Sequence, residues 1–204
     1  MADVGHVIVA KCQTAGRGRF GRSWISPSGG LYATFIVEWA PIPSIRAGFA
    51  VLSSLAALGI AAELKWPNDV LVKGKKIAGI LIETAEDRLL VGVGVNLDGS
   101  PLETATSVGD EGVGIDPESL LQEIRSRLGD RRADGEVMDA YRRTCRTIGK
   151  AVRVTFVDGR LPLEGIATDV DAVGRLVVAG PLGAQTISSG DCQHLESETG
   201  VVDR

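Results

Sequence analysis

Apolar residues run unbroken from Val7 to Ala10 and then give way, between Gln13 and Gly30, to glycine, arginine and small polar residues. That change predicts a buried strand, Val7–Lys11, running into a loop. Leu31–Trp39 reads as a second strand, in which Thr34, Ile36 and Glu38 alternate with apolar neighbours. Pro41 and Pro43 break it, and Ser44 is the expected cap of a helix carrying Ile45, Phe49, Leu52, Leu55 and Ala56 at helical spacing up to Gly59. Three short strands are expected next, Val70–Val72, Ile77–Glu83 and Leu89–Val95, with Gly74 at a hairpin turn. Ser100–Gly114 has the composition of a loop. Asp116 and Pro117 open a helix bearing Leu120, Leu121, Ile124 and Leu128, and another helix is expected near Val137–Ile148.

Beyond Gly149 the spacing shortens. Ala151–Val157, Leu163–Asp169, Arg175–Ala179 and Gln185–Ser189 are β segments separated by Asp-Gly, Val-Gly and Leu-Gly turns, the grammar of a small barrel. A domain boundary is therefore expected near residue 149, giving units 1–149 and 150–204, with a frayed tail from Glu196 to Arg204.

Composition narrows the class. With 204 residues, 44% of them hydrophobic, the chain can bury a core, and no apolar run is long enough to span a membrane. Cys12, Cys145 and Cys192 have neither metal-ligand spacing nor the even number of a disulfide framework, which suggests a reduced, cytoplasmic protein. The net charge of −4 hides a division. Residues 1–82 carry nine Lys/Arg against four Asp/Glu, whereas the remainder carries 13 against 22. The first part is built to meet something anionic. The acidity of the rest argues against nucleic acid and points to a small phosphate-bearing ligand.

The candidate chemistry lies in three blocks. Gln13-Thr-Ala-Gly-Arg-Gly-Arg-Phe-Gly-Arg-Ser-Trp24 contains a literal G-x-G-x-x-G at Gly16, Gly18 and Gly21. A dinucleotide fingerprint requires a helix to open there and receive the pyrophosphate. Ile25-Ser-Pro-Ser-Gly-Gly30 forbids that helix. What the loop offers instead is Arg17, Arg19 and Arg22, whose guanidinium forks match phosphate or carboxylate oxygens, on a backbone that glycine lets bend around a ligand. Trp24 suits an adenine-stacking role and a loop-anchoring core role equally. The second block, Lys65-Trp-Pro-Asn-Asp69, puts Asn68 and Asp69 at a turn. Lys76 follows at the head of an apolar strand, where Gly79 marks a close approach of ligand or backbone. The third block is Gly92-Val-Gly-Val-Asn96.

These blocks, in this order, resemble the biotin protein ligases: a Q-T-A-G-R-G-R-x-G-R-x-W loop, K-W-P-N-D followed by K-x-x-G-I-L-x-E, and a G-x-G-x-N strand. The resemblance is strong over residues 5–100 and a matter of layout beyond them. It implies an α+β fold: a mixed β-sheet with flanking helices, like that of class II aminoacyl-tRNA synthetases, plus a small C-terminal SH3-like β-barrel. It also implies ligation in two steps: ATP and biotin give biotinyl-5′-AMP, and biotin then passes to a lysine of a biotin carboxyl carrier protein domain. No protein nucleophile is needed, which agrees with two marginal histidines, His6 and His194.

On this resemblance Lys76 bridges the biotin carboxylate and the α-phosphate, and Arg17 and Arg19 close over the acyl-adenylate, with Arg19 retaining it. Gln13 contacts biotin, Trp24 packs on the adenine side, and Asn68 neighbours adenine or the Mg²⁺-phosphate group. Asp69 lies where the acceptor lysine enters. Gly16, Gly18, Gly79 and Asn96 complete the ligand-binding set, with Mg²⁺ riding on the triphosphate and no protein metal ligands.

The sequence departs from the family pattern at its start. About thirty residues that usually precede the strand at Val7, including a Ser-Thr-Asn-like turn on the biotin ring, are missing from it, as is a winged-helix DNA-binding domain. A pocket open on one side, a sheet edge available for a homodimer, and no repressor role are the expectations. Two other functions stand beside the ligase: a non-catalytic remnant that binds biotin, adenylate or the carrier, and a lipoate or octanoyl transferase. The lipoate ligases share the fold but use another arginine-glycine motif, which this chain lacks.

Overall fold

The computed structural model describes residues 3–100, 102–181 and 183–195. The tail expected to fray lies outside the described residues, and so does Leu182. The first sheet takes β1 (Val7–Ala10), β2 (Gly30–Glu38), β3 (Glu63–Lys65), β4 (Asp69–Val72), β5 (Lys75–Ala85) and β6 (Arg88–Asn96) in the order β1-β2-β6-β5-β4-β3. Pairings between its strands are antiparallel, and among the described residues parallel contacts enter only as the isolated bridges Leu64–Cys145 and Lys76–Ala105.

Register explains the two faces of this sheet. Leu31–Val95–Ala78–Val70 form one cross-strand row and Phe35–Val91–Ile82 another. Side chains of cross-strand partners share a face, so these rows present an apolar surface. Helix α1 (Pro43–Ala57) lays Ile45, Val51, Leu52 and Leu55 into the same core, and α2 (Pro117–Leu128) adds Leu120, Leu121 and Ile124. Each such side chain contributes about 1.5–3 kcal/mol on burial. The alternate row on the opposite face reads Ala10–Tyr32–Gly94–Gly79–Asp69–Lys65. At its centre two glycines sit side by side. One face is therefore a core, and the other lacks side chains at its centre.

Local details correct several expectations. Helix α1 begins at Pro43 after Ile42, whose φ of 48° is left-handed, and makes no side-chain cap. Ser44 lies inside the first turn, where its hydroxyl donates to the Pro67 carbonyl at 2.8 Å. By contrast Asp116 caps α2, accepting from the Ser119 amide at 3.0 Å. Helix α3 spans Asp134–Thr144, ending earlier than apolar spacing implied because the next residues turn to meet β3: the Arg146 amide donates to the Leu64 carbonyl at 2.7 Å. The β4–β5 hairpin turns on Lys73 and Gly74, with φ of 51° and 81°, the left-handed pair that a tight hairpin demands. Asn68 is in the turn between β3 and β4, while Asp69 already belongs to β4.

The second sheet is antiparallel, with β7 (Ala151–Thr155), β8 (Leu163–Val170), β9 (Leu176–Gly180), β10 (Gly183–Ile187) and β11 (Asp191–His194) in the order β10-β9-β8-β7-β11. It meets the first sheet through Trp66, whose indole nitrogen donates to the Gly174 carbonyl at 3.0 Å. Thr147 adds a buried bridge, its hydroxyl accepting from the Trp66 amide at 3.0 Å and lying 3.1 Å from His194 Nε2. His194 is thus set between the sheets rather than at the margin. Burial, and then Lys65, Arg146 and Lys150, pull its pKa down to about 4.

Candidate active site

A cavity of about 350 Å³ opens on the glycine face of the first sheet. Its floor is the Gly79–Gly94 pair, and the Trp24 indole rests directly on it. A methyl carbon built on Gly94 would lie 2.7 Å from Trp24 Cε2, and one on Gly79 would lie 2.9 Å from Cζ3. Only a pair without side chains admits the ring here. Lys76 Nζ stands 5.0 Å from the centre of the indole ring, within reach of a cation–π interaction. The indole nitrogen is buried and without a hydrogen-bond acceptor among the described residues.

The loop from Gln13 to Trp24 forms the roof. It contains a single 3₁₀ turn, Arg19–Gly21, with Phe20 left-handed at φ 58°. Gln13 anchors one end, its Oε1 accepting from Ser26 Oγ at 2.7 Å. Gly16 does not line the cavity. It packs against the returning end of the loop, where a Cβ would collide with the Trp24 carbonyl and would sit 2.7 Å from Ser26 Oγ.

The cations already have partners. Lys76 Nζ is 2.6 Å from Asp69 Oδ1, with both side chains mostly covered, at 31% and 21% exposed. Arg17 reaches across the mouth to Glu83 at 2.9 Å. Arg19 stacks on Phe20 and donates to Ser189 Oγ at 3.0 Å. Burial, and then neighbouring Arg22, bring the Arg19 guanidinium below its usual pKa, while Asp69 and Asp191 oppose the shift. Asn68 Nδ2 donates to the Ile80 carbonyl at 2.8 Å. Asn96 Nδ2 is spent on the Thr106 carbonyl at 2.9 Å and, more weakly, on that of Lys76, so Asn96 braces the head of β5 against the following loop.

Gln13, Arg17, Gly18, Arg19, Trp24, Asn68, Lys76, Gly79 and Asn96 thus surround one cavity, and Asp69 touches it through Lys76. Several lining positions had not been singled out as site residues. Glu83 and Gly94 lie within the quoted motifs, and Gly94 is legible as the cross-strand partner of Gly79 once register is known. Tyr32, Thr34, Leu102, Thr104 and Ala105 carry no such signal.

The cavity thus combines three cationic side chains, Arg17, Arg19 and Lys76, with a floor of paired glycines. The family model of the Biotin/lipoate A/B protein ligase family matches residues 2–100, and that of the Biotin protein ligase C terminal domain matches residues 147–195. The chain is 39% identical to the Biotin--[acetyl-CoA-carboxylase] ligase of Mycobacterium tuberculosis, over 95% of this chain and 81% of that protein. It is 30% identical to the protein of the same name from Paracoccus denitrificans, over 90% and 88%. The biotin protein ligase of Aquifex aeolicus in complex with biotin and ATP superposes with a TM-score of 0.83, at 27% identity and covering 97% of this chain and 91% of that one. The protein belongs to the biotin protein ligase family.

Proposed function

We propose that the chain is an ATP-dependent biotin protein ligase, forming biotinyl-5′-AMP and transferring biotin to a lysine of a biotin carboxyl carrier domain. The observation that carries this reading is the convergence of Lys76, Arg17 and Arg19 on one cavity above paired glycines. Adenylation brings a carboxylate to an α-phosphate, two anions that repel until fixed cations offset them. Lys76 sits at the head of β5, where its ammonium can exchange Asp69 for both anions at once. The carboxylate oxygen bonds to the α-phosphorus as the bond to pyrophosphate breaks. Arg17 and Arg19 cover the adenylate and exclude water. In the second step the acceptor amine attacks the acyl carbon and AMP leaves, with Asp69, freed from Lys76, facing the incoming amine.

Mg²⁺ accompanies the triphosphate in this reading. Phosphate oxygens and water would supply most of its ligands, as is usual for Mg²⁺. Residues 1–149 form the catalytic unit and 150–204 the small β unit. The free thiols of Cys12, Cys145 and Cys192 suit a reducing cytoplasm. Among the described residues no helix is long and apolar enough to cross a membrane.

The test incubates the purified chain with ATP, Mg²⁺, biotin and a carrier domain, following pyrophosphate release and biotinyl-lysine by mass spectrometry. Both products are expected. Their absence, or a preference for lipoic or octanoic acid over biotin, overturns the reading.

A further inference from the structure

The arginine loop and the turn between β10 and β11 are far apart in sequence and bonded to each other in the fold. Arg19 donates through Nη2 to Ser189 Oγ at 3.0 Å and through Nη1 to the Gly190 carbonyl at 3.4 Å. Arg22 Nη1 meets Asp191 Oδ1 at 2.8 Å. These acceptors are held firmly. Gly190 is pressed onto β7 so closely that a Cβ there would collide with Val154 and come within 3.0 Å of the Thr155 carbonyl. Asp191 is the first residue of β11 and is registered opposite Thr155.

Away from this turn the loop is held at its ends, the Gln13 amide donating to the Ser26 carbonyl at 3.0 Å and Trp24 resting on the glycine floor, and by Arg17 on Glu83. Its own backbone bonds are Gly18 N to Arg22 O, Arg22 N to Arg19 O and Trp24 N to Gly16 O, and Phe20 spends conformational energy in the left-handed region. Neither Ser189 nor Asp191 lines the ligand cavity, whereas Arg19 and Arg22 do.

We infer that the turn Ser188–Asp191 of the C-terminal sheet is the dock that positions the arginine loop over the active site, with Asp191 acting through Arg22 and Ser189 through Arg19. The second sheet thereby enters the chemistry without touching substrate. A docked loop presents Arg17 and Arg19 already ordered, so less ordering opposes ATP binding and the adenylate escapes more slowly. This functional consequence rests on the ligase reading. The docking itself does not.

The test compares the full chain with Asp191→Asn, Asp191→Glu and the double variant Ser189→Ala/Asp191→Asn. Loss of a half-exposed ion pair of this kind shifts an equilibrium about two- to fivefold. KM for ATP is therefore expected to rise by that factor in Asp191→Asn, and about tenfold in the double variant once the charged hydrogen bond is also lost. Turnover at saturating ATP stays unchanged, and release of free biotinyl-AMP rises in parallel. Without ligand, tryptic cleavage after Arg17 and Arg19 accelerates by similar factors, Asp191→Glu restores the wild-type rate, and the melting temperature stays put. Unchanged KM and cleavage rates in the double variant overturn the inference. So does a lowered melting temperature with turnover lost and no rescue by glutamate, since that marks simple damage to the second sheet. If the wild-type chain makes no adenylate, the ligase reading fails and the cleavage rates alone decide the docking.

Discussion

Replacing Gly94 by alanine adds one methyl group where the Trp24 indole rests. The new carbon would stand 2.7 Å from Cε2 and from Nε1, and 2.9 Å from Cζ2, well inside ordinary van der Waals contact. Gly94 is not among the residues with positive φ, so its backbone accepts alanine and the whole cost falls on the contact. Forcing a methyl into a packed site costs about 1–3 kcal/mol. The neighbour here is a loop residue, which can yield by lifting off the floor, so the lower half of that range applies. Lifting Trp24 moves the roof of the cavity, and the cost appears as lost ligand affinity rather than lost global stability. Titration calorimetry with biotin and with ATP is expected to show Kd raised about tenfold, 1.4 kcal/mol being one decade, at an almost unchanged melting temperature. Gly92→Ala is the control, because its methyl would meet only the Leu81 carbonyl at 3.3 Å and Cβ at 3.5 Å. Wild-type affinity in Gly94→Ala, or equal losses in both variants, would refute the idea that the paired glycines are a platform for Trp24.

Lys76→Ala removes the cation that replaces Asp69 with substrate anions, and pyrophosphate release should fall about 10²–10³-fold; retention of a tenth of the wild-type rate would sink that role. Arg19→Gly should let biotinyl-AMP escape and label lysines without selectivity, detectable by blotting a mixture of non-carrier proteins; unchanged carrier selectivity counts against it. Thr147→Val leaves the buried Trp66 amide without its acceptor, costing about 1–3 kcal/mol in denaturant unfolding, and a change under about 0.5 kcal/mol refutes it. His194 titrates near 4 in the fold against 6.5 unfolded, so the unfolded chain binds more protons between those values. Stability should therefore decline as pH falls below about 6.5 and level off near 4, and His194→Gln should flatten that part of the curve.

Local chemistry was legible in the sequence, and long-range pairing was not. The loop stood out by its density of glycine and arginine, whereas Lys76, a residue type usually solvated at a strand's head, was marked only by the motif around it; both line the cavity. Asp116 capped its helix as expected, since a cap is a contact between residues three apart. Ser44 did not, because a partner on another segment, the Pro67 carbonyl, took its hydroxyl. Strand β3 escaped notice, its Glu63-Leu64-Lys65 being too short and too charged for any periodicity; it forms because β4 and the Arg146 segment supply its hydrogen bonds. Asn96, expected at the ligand, lines the cavity, and its amide nitrogen also braces backbone carbonyls, which no local pattern foretold. The acceptors at Ser189, Gly190 and Asp191 lie about 170 residues from the arginines they hold, a pairing no local pattern encodes.

The partnered state of the cations has a consequence for selectivity. A single phosphate or acetate ion arriving at Lys76 would gain one contact and displace Asp69, and at Arg17 it would displace Glu83, so each exchange is close to neutral. Only a ligand long enough to engage several of these positions together turns near-neutral exchanges into net affinity, because the entropy of capture is then lost once rather than several times. On the ligase reading the pocket would answer to anions in combination rather than singly. Cellular phosphate should compete poorly with a nucleotide that spans the site, although each of its individual contacts is as good.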